Sequence, residues 1–164
     1  MHSLQRELLF LCGKMAAGKS TLSRELAARE NAVLLVEDDF LEQLYPGAVR
    51  SLGDYVTFSW RIKNALAPHI VSLLSRGISV VLDFPGNTRR QRAWFRELFE
   101  RAEAEHELHF IDAPDELCKQ QLRERRKDYP PGRAWTTDAE FDAVTAYFEP
   151  PAEEEGFHVI RHER

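Results

Sequence analysis

The residues best suited to chemistry lie in a glycine-containing loop near the start of the chain. The loop reads Gly13-Lys14-Met15-Ala16-Ala17-Gly18-Lys19-Ser20, and Thr21 follows it. The two glycines allow a tight turn in which backbone N–H groups surround an anion. Lys19 is spaced to reach the β- and γ-phosphates of a nucleotide, and the Ser20 hydroxyl to hold Mg²⁺. This pattern predicts a Walker A phosphate loop in which residues 13–21 bind ATP.

The segments around this loop fit the same interpretation. Residues 8–12 form a short apolar run typical of a buried strand, and residues 20–29 have the spacing of an amphipathic helix. A strand, a glycine loop and a helix are the context in which the motif binds phosphate. The N-terminus of that helix adds its dipole to the anion site.

Acidic residues follow several of the predicted strands. Glu37, Asp38 and Asp39 follow the second strand, Asp83 the third and Asp112 the fourth. Ligands bind at the carboxyl ends of the strands in open parallel sheets, so these positions face the site. We expect Asp38 to accept a proton from an acceptor hydroxyl, and Asp83 to hold Mg²⁺ or contact the acceptor. Asp39 and Asp112 are interpreted as helix caps or solvated loop residues.

Two clusters of basic residues can supply positive charge. The first ends a predicted helix and precedes a Pro-Pro-Gly loop, and it consists of Arg123, Arg125, Arg126 and Lys127. We interpret residues 123–137 as a lid over the nucleotide, with arginines of this cluster, Arg123 among them, near its phosphates; cations placed favourably at a helix C-terminus are the alternative. The second cluster is Arg89, Arg90 and Arg92, of which we expect one to face the acceptor and the rest to face solvent.

Apolar runs alternate with amphipathic stretches along the chain. Strands are predicted at residues 8–12, 32–36, 78–82, 106–111 and 157–160, and helices at residues 20–29, 41–45, 60–76, 89–104, 115–126 and 138–148. This alternation predicts an α/β fold with a parallel sheet and helices on both faces. Pro68 is expected to kink the third helix or to separate two shorter helices. Residues 45–60 are expected to form a long connection that recognises the substrate, although their aromatic residues also suit the core.

Composition limits the remaining possibilities. The length of 164 residues favours a single domain over residues 1–164. The formal net charge of −5 argues against binding to long nucleic acid. No segment has the roughly 20 apolar residues of a membrane span. The first residues lack the pattern of a signal peptide, and the two cysteines, Cys12 and Cys118, lie in apolar patterns typical of buried thiols. We therefore expect a cytoplasmic protein without a membrane partner.

Over nearly its whole length the sequence resembles the AAA_33 group of small P-loop kinases. The segments that carry the resemblance are residues 13–21, Val36-Glu37-Asp38-Asp39 with Leu44-Tyr45-Pro46-Gly47, residues 77–87 with Thr88 and Arg92, and Asp115-Glu116-Leu117-Cys118 leading to Arg125. The group is similar to zeta toxins, chloramphenicol phosphotransferase and the kinase domain of phage polynucleotide kinase. The resemblance implies a three-layer α/β/α sandwich, with five strands in the order 2-3-1-4-5 and a helical lid.

The resemblance also implies roles for single residues. Asp38 corresponds to the general base, Arg125 to the lid arginine that stabilises the transferring phosphate, and Asp83 to an aspartate on the acceptor side. Leu41 stands where polynucleotide kinases carry an arginine, which argues against a kinase of nucleic-acid ends.

These residues predict an enzyme that uses ATP and Mg²⁺ to phosphorylate a hydroxyl of a small molecule, with Lys19 and Arg125 neutralising the developing charge. Two alternatives remain open. One is a toxin-type or polynucleotide-type kinase that acts on a nucleotide sugar or a nucleic-acid end. The other is an ATP-binding regulator with slow hydrolysis.

Overall fold

A parallel β-sheet forms the centre of the molecule. The structure, a computed structural model, describes residues 6–131, Arg133 and residues 135–164. Its strands are β1 (Glu7–Cys12), β2 (Val33–Val36), β3 (Val80–Asp83), β4 (Glu105–Asp112) and β5 (Val159–Glu163). All neighbouring strands pair in parallel, in the order β2-β3-β1-β4-β5. The predicted sheet and its strand order are thus confirmed.

Helices cover both faces of this sheet. They are α1 (Lys19–Glu30), α2 (Glu37–Leu44), α3 (Leu52–Ser75), α4 (Arg89–Arg101), α5 (Asp115–Arg126) and α6 (Asp138–Thr145). A short 3₁₀ helix covers Glu153–Glu155. Helices α3 and α4 contribute to one buried apolar cluster and helices α1, α5 and α6 to the other. This arrangement is the predicted three-layer α/β/α sandwich.

Strand β1 shows why the central strands are apolar on both faces. Leu8 and Phe10 point into the cluster with α3 and α4, whereas Leu9 and Leu11 point into the cluster with α1, α5 and α6. All four side chains are fully buried, as two-sided burial of a parallel strand requires. The rigid end of β1 at Cys12 therefore presents the phosphate loop at the carboxyl edge of the sheet.

The boundaries of α2 and α3 differ from the prediction. Helix α2 begins at Glu37, directly after β2, so the acidic triplet forms its first turn rather than a loop. Helix α3 begins at Leu52, where Ser51 caps it by accepting a hydrogen bond from the Asp54 N–H. Most of the predicted connection at residues 45–60 is therefore helical, because this cap outweighs the weak helix propensity of the residues that follow.

Two further details of the prediction need correction. Pro68 lies inside the continuous helix α3, so of the two outcomes expected for it, the division into two shorter helices is wrong. Arg92 donates two hydrogen bonds to the Glu155 carboxylate. Arg92 is fully buried, so it faces neither the acceptor nor solvent. Both cysteines are free and buried, as predicted.

The described helices were compared with the requirements of a membrane-spanning helix. Among the described residues, no helix combines the length and the apolar character that a membrane span needs.

Candidate active site

The phosphate loop connects β1 to α1 and has an unusual backbone. Ala16 and Gly18 both have positive φ angles, of 63° and 109°. At Gly13 an added Cβ would lie 3.4 Å from the Ile111 Cβ and from its carbonyl oxygen, which is an ordinary contact. Gly18 thus provides the left-handed conformation that the turn of the motif needs.

The first turn of α1 suits an anion. Its N-cap residue, Gly18, supplies no side-chain hydrogen bond, and the first turn holds no acidic residue. The first N–H groups of a helix have no partner within the helix, and its dipole places partial positive charge at this end. Ser20 and Thr21 are exposed here. This helix end therefore offers N–H donors and two hydroxyls to a phosphate.

Lys19 folds back along the loop. Its ammonium group donates hydrogen bonds to the carbonyl oxygens of Gly13 and Lys14. Burial lowers the pKa of Lys19, and the charges of Asp83 and Asp38 oppose this by raising it. The lysine thus lies in the field of both carboxylates that the sequence singled out.

Asp38 lies in the first turn of α2, and much of its surface is accessible to solvent. The protein atoms around its carboxyl group nevertheless desolvate this group, which raises the pKa of Asp38. The Lys19 ammonium lowers the pKa, as do the guanidinium groups of Arg125 and Arg133, whereas Asp39 raises it. Cations from the phosphate loop and from the predicted lid therefore act on the same carboxyl group.

Asp83 is the last residue of β3. Its Oδ2 atom accepts a hydrogen bond from the Ser23 hydroxyl at 3.1 Å. Burial raises the pKa of Asp83, whereas Lys19 and the Ser23 hydrogen bond lower it. The sheet thus brings Asp38, Asp83 and Lys19 from three separate parts of the chain to one edge.

The basic residues of the predicted lid have different environments. Arg123 pairs with Asp138 at 2.5 Å, and Arg126 donates to the Thr136 carbonyl oxygen at 3.3 Å. Arg125 is half-buried, and its charge acts on both Lys19 and Asp38. Gly132 and Ala134, which belong to the predicted lid, lie outside the described residues. Of the two arginines predicted to approach the nucleotide, Arg125 is the one whose charge acts on the cluster.

The middle of the phosphate loop is held by side chains. The Lys14 ammonium pairs with Asp115 at 2.7 Å, which ties the loop to the start of α5. Ala16 and Ala17 are buried in the apolar cluster with α1 and α5, and Met15 packs against that cluster. These contacts fix the loop on the protein side and leave its backbone to face the ligand.

A cleft of about 510 Å³ opens beside the loop, between α1 and α5. Its lining includes Gly18 and Thr21 from the loop side, Gln120, Gln121 and Arg125 from α5, and Arg164 after β5. Sequence reasoning did not single out the two glutamines, because their amides are common on solvent-facing helix surfaces. Their position suits the part of a nucleotide that extends away from its phosphates.

The α3 side of the site holds two residues whose roles sequence reasoning missed. Glu37 is 1% exposed, and its carboxylate accepts hydrogen bonds from the Tyr55 and Ser59 hydroxyls. Lys63, one turn after Ser59, is 2% exposed. The sequence signal that could have indicated them was the pair Ser59 and Lys63, two polar residues on the buried face of α3 beside Ile62.

The donor set for a metal ion is small. Within the described part of the chain, no group of three or more His, Cys, Asp or Glu side chains is arranged to hold a metal ion. Ser20 and Asp83 offer oxygen atoms next to the phosphate loop. Mg²⁺ prefers oxygen ligands and often takes several of them from substrate phosphates and water. These two residues fit Mg²⁺ bound together with a nucleotide better than a metal held by the protein alone.

Solved structures share this fold over almost the whole chain. A chain of the PezAT toxin–antitoxin system of Streptococcus pneumoniae is 18% identical, with a TM-score of 0.73; the alignment covers 100% of this chain and 71% of that one. Shikimate kinase from Acinetobacter baumannii is 22% identical, with a TM-score of 0.61 and coverage of 97% and 85%. A gluconokinase from Sinorhizobium meliloti is 16% identical, with a TM-score of 0.63 and coverage of 98% and 84%.

Sequence comparison gives the family. No curated protein matches the chain significantly. The family model of AAA_33, described as an AAA domain, matches residues 8–151, which include the phosphate loop, Asp38, Asp83 and Arg125. With this match over most of its length, and with the sheet order and the phosphate loop described above, the chain belongs to the AAA_33 family.

Proposed function

We propose that this protein is an ATP-dependent phosphotransferase that transfers the γ-phosphate of ATP to a hydroxyl group of a small molecule. The observation that supports it best is the position of the Asp38 carboxyl in the field of Lys19 and Arg125, beside the phosphate loop. A loop that only bound nucleotide would need neither a desolvated carboxylate nor a lid cation at this point. Phosphoryl transfer uses both.

Each residue has a specific task in this proposal. ATP binds along residues 13–21, where backbone N–H groups and the Lys19 ammonium contact its phosphates. Asp38 accepts the proton of the acceptor hydroxyl as that oxygen attacks the γ-phosphorus. The raised pKa of Asp38, caused by burial, strengthens it as a base. Lys19 and Arg125 neutralise the charge that develops on the transferring group. Arg125 is preferred to Arg123 because Arg123 is paired with Asp138.

Mg²⁺ belongs to this proposal as the partner of ATP. The Ser20 hydroxyl and the Asp83 carboxylate are the residues that would hold it, directly or through water. When bound, Mg²⁺ would neutralise charge on the β- and γ-phosphates. The hydrogen bond from Ser23 fixes one oxygen of Asp83 and leaves the other available.

A small acceptor fits better than a long polymer. The net charge of −5 opposes the approach of nucleic acid. Among the structures with this fold, shikimate kinase and gluconokinase are named for small molecules. The likeness to the PezAT chain keeps a toxin-type acceptor, such as a nucleotide sugar, as the alternative.

The test is a screen for transfer of labelled phosphate from γ-³²P-ATP to nucleosides, sugars, sugar acids, nucleotide sugars and hydroxylated antibiotics. We expect Lys19→Ala to abolish transfer and Asp38→Asn to lower kcat about a hundredfold or more while ATP still binds. Asp142→Asn, an exposed carboxylate on α6, is the control and should transfer normally. Hydrolysis of ATP without any acceptor, undiminished in Asp38→Asn, would instead indicate the regulator.

A further inference from the structure

Lys63 is an unusual residue on the acceptor side of the molecule. It lies in the middle of α3 and is 2% exposed. Its ammonium nitrogen is 4.7 Å from the centre of the Trp60 ring and 5.5 Å from the centre of the Trp94 ring. Lysine is almost never buried to this degree unless an anion compensates its charge. Two indole faces attract a cation, but they do not accept the three hydrogen bonds that an ammonium group can donate.

The nearest candidate for that anion is already satisfied by other groups. Glu37 raises the pKa of Lys63, against the lowering by burial, so the two charges influence each other. However, no carboxylate oxygen of the described residues lies within 4.0 Å of the Lys63 ammonium. Each oxygen of the Glu37 carboxylate accepts a hydrogen bond from a hydroxyl of α3, one from Tyr55 and one from Ser59. Lys63 therefore keeps donors for another partner.

A second cation shares the same indole ring. The Arg90 guanidinium lies 5.4 Å from the centre of the Trp60 ring, and its charge lowers the pKa of Lys63. Arg90 is exposed and lies in the first turn of α4, where no acidic residue offsets the helix dipole. Its neighbour Arg89 pairs with Glu154 at 2.6 Å, but no described carboxylate lies within 4.0 Å of Arg90. Two like charges close to one ring repel each other, and an anion close to both would offset this repulsion.

This cation pair lies beside the proposed phosphotransfer site. Glu37 and Asp38 are consecutive residues in the first turn of α2, and Glu37 is acted on by the charges of both Lys63 and Asp38. Trp94 on α4 stacks on Phe84, the residue that follows Asp83 at the end of β3, with ring centres 5.6 Å apart. An acceptor whose hydroxyl faces Asp38 can therefore extend towards α3 and α4.

We propose that the acceptor is a small hydroxy compound with an anionic group, a carboxylate or a phosphate, which binds between Lys63 and Arg90 against the Trp60 ring. This inference rests on the proposed kinase function and names the class of its substrate. Lys63 supplies a desolvated charge, Arg90 supplies an exposed one, and Trp60 supplies a flat aromatic surface close to both. The anion would compensate both cations.

The experiment compares matched compounds. Each neutral polyol or sugar is assayed beside its carboxylate and its phosphate ester, with γ-³²P-ATP as donor. We expect kcat/KM to be at least tenfold higher for an anionic member than for its neutral counterpart. Lys63→Met should lower kcat/KM for that anionic compound about tenfold to a hundredfold, the size of a lost charged hydrogen bond, and leave the affinity for ATP unchanged. The compound with the higher kcat/KM, carboxylate or phosphate ester, identifies the anion that the site prefers.

Further variants separate binding from folding. Lys63→Arg retains the charge and should retain the preference for the anion. Arg90→Met changes an exposed residue and should raise KM for the anionic compound without loss of stability. Arg101→Met, at the other end of α4 and also exposed, is the matched control and should behave as the unchanged protein. Equal kcat/KM for neutral and anionic compounds, or no effect of Lys63→Met and Arg90→Met, would overturn the inference and leave the kinase proposal intact.

A binding assay keeps the two proposals distinct. A non-hydrolysable ATP analogue first saturates the phosphate loop, and the protein is then titrated with the same carboxylates and phosphate esters while tryptophan fluorescence is followed. If the compounds bind and Arg90→Met weakens their binding about tenfold, the anion site is supported, whether or not the compounds are phosphorylated. The absence of phosphorylation would count against the kinase proposal alone. Binding equally tight in Arg90→Met and Arg101→Met contradicts the anion site.

Discussion

The side-chain oxygen of Asn87 accepts a hydrogen bond from the backbone N–H of Gly13, with 2.9 Å between the two atoms. Asn87 lies 74 positions further along the chain, in the connection between β3 and α4. Its own N–H donates to Gln91 Oε1 at 2.8 Å, and its carbonyl oxygen accepts from the Glu149 N–H at 2.8 Å. The first residue of the phosphate loop is thus held by a connection that is itself fixed at both backbone groups.

We expect Asn87→Ala to loosen the phosphate loop. The substitution leaves the Gly13 N–H without its partner, which costs about 1–3 kcal/mol of unfolding free energy. A less ordered loop should also weaken ATP binding about tenfold. Urea denaturation and calorimetric titration with ATP measure the two effects. Asn64→Ala, on the exposed face of α3, is the control and should change the unfolding free energy by no more than about 0.5 kcal/mol. Equal effects of the two substitutions would contradict this role of Asn87.

Gly86, next to Asn87, packs directly against β1. A Cβ at this position would lie 2.4 Å from the Leu11 carbonyl oxygen and 3.1 Å from the Phe95 ring. We expect Gly86→Ala to lower the unfolding free energy by about 2–4 kcal/mol, because the backbone of a central strand cannot move aside without loss of its pairing. Gly53→Ala is the comparison. Gly53 is helical and its added Cβ would meet its nearest neighbour at 3.7 Å, so this change should be neutral or stabilise by up to about 1 kcal/mol.

The buried ion pair of Arg92 and Glu155 holds the same connection from the other side. Arg92 donates to both oxygens of Glu155 and to the carbonyl oxygens of Gly86 and Glu149. Its side chain is fully buried and that of Glu155 is 9% exposed. We expect Arg92→Met to lower the unfolding free energy by about 3–5 kcal/mol, because it leaves a desolvated carboxylate without its cation and two carbonyl groups without this donor. Thermal and urea denaturation measure the loss.

The matched control for this pair is the exposed pair of Lys127 and Glu124, whose side chains are 69% and 66% exposed. Lys127→Met should change the unfolding free energy by less than about 1 kcal/mol, since solvent screens exposed pairs. A loss for Arg92→Met as small as the loss for Lys127→Met would show that the buried pair contributes no more than a surface one.

The strands could be predicted from the sequence because their signals are local, whereas their order was implied only by the resemblance to the family. The run of residues 8–12 is apolar throughout and that of residues 78–82 is apolar except for Ser79, and Gly13 and Asp83 end them. The start of α3 could not be predicted in this way. Its first turns contain Gly53, Val56 and Thr57, which have low helix propensity, and the Ser51 cap together with the packing of α3 against α2 makes them helical. Tertiary contacts decided this boundary.

In the candidate site, too, features with a local sequence signal could be predicted and features that depend on distant partners could not. The phosphate loop, Asp38 and Asp83 could be predicted because a motif and the ends of strands mark them. The environments of the arginines could not, because each depends on a partner distant in the sequence. Arg92 pairs with Glu155, 63 positions away, and Arg123 with Asp138. Sequence reasoning took all three arginines of residues 89–92 as exposed or facing the acceptor, and this was wrong for Arg92.

Phosphate transfer should depend on the protonation state of Asp38. A general base must be deprotonated, so kcat/KM should rise as the pH rises through the pKa of Asp38. Burial raises this pKa above the ordinary value of 3.8, and Lys19, Arg125 and Arg133 oppose the rise. Arg125→Met removes one of these three opposing charges, so the pKa of Asp38 increases further. The acid limb of the kcat/KM profile should therefore move to higher pH, and kcat should fall about a hundredfold or more.

Arg123→Met provides the control for this profile. Arg123 is paired with Asp138, and its charge is not among those that act on Asp38. Its substitution should leave the acid limb in place, because the charges around the base are unchanged. Profiles measured between about pH 4 and pH 9, with saturating ATP and varied acceptor, distinguish the two variants. A limb that moves equally in both, or one that moves to lower pH in Arg125→Met, would mean that the titrating group is not an Asp38 carboxyl in the field of Arg125.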